Sequence, residues 1–126
     1  MKISRHAPSW ARTFLSRIVK LHPELDKAQV AWLRQLKGDE RSFAFGRCIG
    51  TVVAIAETDH QEHMAYTLLH ELAHFKTGRR HQKDFYEYLW DLCEEAGINS
   101  QVARDMEQVY PSWWGDWPSA GTYQEI

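Results

Sequence analysis

The chain has 126 residues, 44% of them hydrophobic and 25% charged, with a net charge of −2. That is enough apolar material for one compact core and too little length for two ordinary domains, so residues 1–126 read as a single domain. Two cysteines exclude a secreted disulfide scaffold, no signal-peptide core or apolar run of about 18 residues is present, and the charge balance excludes a whole-protein nucleic-acid footprint; a protein of a reducing cytoplasm is the expectation.

Lys2, Arg5, Arg12, Arg17 and Lys20 precede the first acid, Glu24. Such an acid-poor start can imitate a transit peptide. Trp10, Phe14, Ile18 and Leu21, however, form an apolar stripe at helical spacing, which predicts a domain helix from Pro8 to Leu21. The segment Ala28 to Leu36 is ambiguous, because AQVAWLRQL holds helix formers and is followed by Gly38. Strands are expected over Ser42 to Cys48 and Thr51 to Glu57, then helices over Gln61 to Thr77, Gln82 to Ala96 and Ser100 to Tyr110, giving an α+β architecture. From Asp84 onward nine acids face one base, Arg104. The segment from Pro111 reads as a tail, in which Trp113, Trp114 and Trp117 are either a clasp across the core or an exposed contact surface for a partner.

The most informative stretch is HELAH, His70 to His74. On a helix turning about 100° per residue, the two histidines stand roughly 40° apart and Glu71 falls about 60° beyond His74. One helix side can therefore carry two imidazole ligands and a base, and His-Glu-x-x-His is the zinc-peptidase motif. The wheel puts Met64, Ala65, Leu68, Leu69, Leu72, Ala73 and Phe75 on an apolar arc. His63, Tyr66, Thr67, His70, Glu71 and His74 share the opposite arc, which is expected to face a cleft. Gly78 is suited to a left-handed helix end. The turn after it delivers His81, the expected third ligand, at the start of a helix carrying Phe85, Leu89, Leu92 and Cys93. Asp84 and Glu87 are the competing third ligands, and His60 and His63 are expected to line the cleft.

LLHELAHFKTGRRHQKDFYEYL, preceded by AFGRCIGTVVAIAET, resembles the minimal zincin core of the SprT-like (Spartan-like) metallopeptidases and the related WLM group. The features in common are Gly46, Arg47 and Cys48 in one strand, the β-branched strand Thr51 to Glu57, the His70–Glu71–His74 helix, and His81 followed by Phe85. The resemblance covers about Ser42 to Leu92. It implies a sheet packed on an active-site helix, with Ala28 to Leu36 as its first strand and Thr51 to Glu57 as the edge strand beside the metal. It also implies zinc-dependent endopeptidase activity, with His70, His74 and His81 holding Zn2+ and Glu71 as general base. Neither a four-cysteine zinc module nor a DNA-binding appendage follows the core, so DNA association is supported only by local basic patches, at the N-terminal helix and at Lys76, Arg79, Arg80 and Lys83. Those four bases equally suit a solvated face that complements the helix C-terminus.

Two other classes accommodate the motif. A zinc-dependent endoribonuclease of three-histidine type also holds metal on a His-x-x-x-His helix but needs no glutamate after the first histidine. A non-catalytic adaptor would use zinc only as a brace and would tolerate loss of Glu71.

Overall fold

A computed structural model describes residues 1–34, 45–109 and 121–126. Strand β1 (Lys2–Ser4) leads into helix α1 (Ser9–Leu21), a 3-10 turn (Pro23–Lys27) and strand β2 (Gln29–Leu33). Strands β3 (Gly46–Ile49) and β4 (Val52–Ala56) follow, then helices α2 (Gln61–Thr77), α3 (Lys83–Ala96) and α4 (Ser100–Val109), and last strand β5 (Tyr123–Glu125). The strands form one mixed sheet in the order β3-β4-β2-β1-β5. Pairings β1/β2 and β2/β4 are parallel, and β3/β4 and β1/β5 antiparallel. The architecture is thus α+β.

The period-two pattern of β2 and β4 explains how the sheet buries itself. Val30, Trp32, Val53 and Ile55 join Ile3 and the helices in the main core, while Ala31, Leu33 and Ala54 form a smaller cluster with Val52 and Tyr123 on the other face. A strand buried on both faces reads as a continuous apolar run, which is why the segment around AWL looks helical to a propensity count. Its predicted extension beyond Arg34 lies outside the described residues, as do residues 42–44 of the predicted strand Ser42 to Cys48.

Several expectations are corrected. Val52–Ala56 is not an edge: β4 pairs with β2 on one side and β3 on the other, and β3 has no further strand beside it among the described residues. The chain reverses between the two at Gly50, whose φ of 57° suits a residue without Cβ. In α1 the stripe is rotated from the predicted one: Ala11, Leu15 and Ile18 are buried, Trp10 and Phe14 pack at the core's rim, and Leu21 is 58% exposed. Residues 121–126 of the expected tail supply β5, pinned to β1 with Ser4 opposite Tyr123. Trp113, Trp114 and Trp117 lie outside the described residues. Among the described residues, no helix is long and apolar enough to cross a membrane.

Helix α2 packs against β3 and β4 on one side and α3 and α4 on others. Leu68, Leu69 and Leu72 are fully buried, each worth about 1.5–3 kcal/mol relative to exposure. Burial is continuous from Met64 to Ala73, so the polar arc does not face a cleft along its length. Tyr66 and Thr67 are 0% and 1% exposed. Their polar atoms are satisfied internally: the Thr67 hydroxyl donates to the His63 carbonyl at 2.9 Å and the Tyr66 hydroxyl to Glu107 Oε1 at 2.5 Å.

Candidate metal centre

The last two turns of α2 and the loop that follows bring His70, His74 and His81 together. One ligand-capable nitrogen from each lies within 4.8 Å of the others, with His70 buried, His74 half-buried and His81 exposed. The group therefore sits at a surface whose floor is the protein interior. The alternatives are placed elsewhere: Asp84 accepts a hydrogen bond from the Phe85 amide, and Glu87 pairs with Lys83 at 3.7 Å. His60 and His63 face each other at 5.0 Å between ring centroids. Neither belongs to the three-histidine group.

Gly78 does more than end α2. Its φ of 106° with ψ of −171° is not the expected left-handed helical cap but an extended conformation open to glycine. In that conformation the Gly78 amide donates to the His74 carbonyl at 2.8 Å, while its own carbonyl accepts from His74 Nδ1 at 2.8 Å. A carbonyl can only accept, so Nδ1 carries the proton and the neutral ring presents the Nε2 lone pair. That Nε2 stands 2.9 Å from His81 Nε2.

His70 is held in the same sense: its Nδ1 is hydrogen-bonded to Glu107 Oε1 from α4. Phe85 forms the wall behind all three rings, with centroids 5.1, 4.4 and 4.9 Å from those of His70, His74 and His81, and it is fully buried. Burial holds His74 down at about 4 and lowers His81, so both imidazoles are neutral at physiological pH. Burial alone would raise Glu107, but hydrogen bonds from His70 and Tyr66 outweigh it and keep the carboxyl below its ordinary range.

This donor set fits a divalent cation of borderline softness. Ideal tetrahedral zinc with imidazoles at about 2.0–2.1 Å places their nitrogens roughly 3.3 Å apart, so the His74–His81 spacing needs only a few tenths of an ångström of adjustment. Glu71 is 3% exposed, and its Oε1 lies 4.0 Å from His70 Nε2.

Strand β3 reaches this carboxylate because residue 46 has no side chain. A Cβ at Gly46 would meet the Ala54 carbonyl oxygen at 2.7 Å, Thr67 Cγ2 at 2.7 Å and Glu71 Cγ at 3.1 Å. Two residues further along the strand, the Cys48 thiol is pushed up to about 12 by burial and by the Glu71 charge, so it is neutral and inert.

Glu107, Tyr66 and the Gly78 carbonyl are absent from the sequence-derived site. The first is one of nine acids in the last third, and nothing in its local pattern distinguishes it. The second belongs to the polar arc of α2, whose helical spacing predicts a cleft lining. Comparisons with family models, curated proteins and solved structures give no match.

Proposed function

We propose that the protein is a zinc-dependent endopeptidase of the minimal-zincin, SprT-like kind. The observation that carries this reading is the juxtaposition of three imidazoles with the buried Glu71 carboxylate 4.0 Å from His70 Nε2. His70, His74 and His81 would hold the metal. Bound there, zinc supplies Lewis acidity, polarising a substrate carbonyl and lowering the pKa of water towards ~7.

The chain's own residues do the rest. Glu71 accepts the proton of the attacking water and returns it to the leaving amine, as a general base and then acid. The Phe85 wall and the buried surroundings of His70 exclude bulk solvent from one side, which strengthens each electrostatic contact. Among the described residues no strand pairs with the outer edge of β3, whose Gly46 lies against Glu71; that edge would offer backbone donors and acceptors to an extended peptide, with broad side-chain selectivity and a preference for unfolded chains. Glu71 also favours this reading over a three-histidine endoribonuclease, which has no use for a buried carboxylate at that place.

The test is a paired assay of wild type and Glu71→Gln on a casein-like unfolded protein and on structured RNA. Zinc-dependent proteolysis should fall by about 10²–10⁴-fold in the variant while zinc content is retained. Zinc-dependent RNA cleavage indifferent to Glu71, with casein untouched, would replace the peptidase by the nuclease. A fully active Glu71→Gln would remove the proposed mechanism.

A further inference from the structure

Helix α4 lies beyond the segment on which the peptidase resemblance rests, yet it sends one side chain into the ligand cluster. How it arrives there is local. Gly97 ends α3 with φ 72° and ψ 23°, its amide donating to the Glu94 carbonyl and that of Ile98 to the Cys93 carbonyl. Two residues later Asn99 Oδ1 accepts from the Gln101 and Val102 amides at 2.8 and 3.4 Å and starts α4. Ala103 and Met106, 1% and 4% exposed, then seat the helix in the core. Glu107, beside Met106, is carried against α2.

There a single oxygen, Oε1, accepts from two α2 side chains one helical turn apart, the Tyr66 hydroxyl and His70 Nδ1. Tyr66 is fully buried and its ring centroid lies 6.2 Å from that of His70. The hydroxyl donor fixes where Oε1 sits, and an oxygen so placed meets an N–H at Nδ1 of His70. The imidazole is thereby kept in the tautomer whose lone pair is on Nε2, the nitrogen 4.0 Å from Glu71.

We propose that Glu107 and Tyr66 are positioning residues that fix the His70 tautomer and ring orientation before metal arrives, so that α4 sets the metal affinity of a site it does not ligate. The chemistry is that of a carboxylate behind a metal-bound imidazole, which orients the ring and raises its basicity. Gly78 does the corresponding work for His74 with a neutral carbonyl, so His70 is the ligand with a charged partner. The inference rests on His70 being a metal ligand and does not require the protein to be a peptidase.

The test uses the full chain and Zn2+ itself. In metal-free protein, nitrogen-15 shifts of His70 should show Nδ1 protonated in wild type and a mixture of tautomers in Glu107→Ala. Zinc affinity, read by competition with a chelator, should weaken about 10–100-fold in Glu107→Ala. Glu107→Gln, which keeps an acceptor oxygen without the charge, should fall between the two, and Tyr66→Phe should weaken binding by a smaller factor. Where Glu107→Ala does not fold, Glu107→Gln decides: an affinity and a tautomer both indistinguishable from wild type overturn the proposal. So does a folded Glu107→Ala that binds zinc as wild type does. His70→Ala separates the two levels of reading: zinc binding insensitive to it removes the metal site itself, whereas binding sensitive to His70 but indifferent to Glu107 removes only the positioning role.

Discussion

Replacing Gly46 by alanine adds one methyl group between the outer strand and the proposed catalytic helix. The new Cβ would stand 2.7 Å from a backbone oxygen, that of Ala54, and 2.7 Å from Thr67 Cγ2. Neither neighbour can swing away: the oxygen belongs to β4, which is paired on both sides, and Thr67 is 1% exposed with its hydroxyl bonded to the preceding turn. Overpacking of this sort destabilises by about 1–3 kcal/mol, and the smaller conformational freedom of the unfolded alanine chain returns about 0.4–1 kcal/mol. The net is about 1–2 kcal/mol. With an unfolding entropy near 2.1 cal/mol/K per residue, or roughly 0.26 kcal/mol/K for this chain, Tm should drop by ~4–8 °C. Relief by moving β3 outward would draw the strand away from Glu71, whose Cγ the new Cβ would otherwise meet at 3.1 Å, so kcat/KM should fall while zinc stoichiometry is kept, since none of the three histidines lies on β3. Thermal unfolding, metal analysis and hydrolysis on one preparation check this. A Gly46→Ala protein with unchanged Tm and unchanged hydrolysis would refute the argument from close approach.

Zinc should be lost or greatly weakened in His81→Ala and retained in His60→Ala and His63→Ala; metal analysis of the purified variants decides it, and full retention in His81→Ala removes that residue from the ligand set. The metal-free protein should lose stability as pH falls from 6.5 towards about 4. His74 and His81 titrate lower in the folded chain than in the unfolded one, so the unfolded state binds more protons through that window and is favoured by acid. Urea unfolding across the window checks the sign, and His74→Gln should flatten the slope.

Much of the ligand cluster was legible because it is local. The bounds of α2 and the adjacency of His70, His74 and His81 follow from helical spacing and one glycine. What the helical wheel missed is that a polar arc can be buried when each hydroxyl or carboxylate has an internal partner: Tyr66 and Thr67 look like cleft residues until Glu107 and the His63 carbonyl are seen beside them. Glu107 itself is 37 residues from His70, and only tertiary packing brings it there. The edge assignment failed because it came from the resemblance alone, and pairing order is a property of the whole sheet that no single segment displays. Strands β1 and β5, three residues each, are too short to show a period.

The spacing of the ligands along the chain also bears on when the site forms. His70 and His81 are separated by only 11 positions, so closing that loop is cheap and fast even without the sheet, and a denatured chain keeps most of what it needs to capture metal. The groups that refine the site, Gly46 from before α2 and Glu107 from after α3, reach it only when the sheet and α4 are docked. If the three histidines hold zinc as proposed, the metal should therefore stabilise the native state by less than simple mass action on a folded-only site would give. On that reading, weak capture would come early in assembly, and tight retention would record that the whole domain has closed.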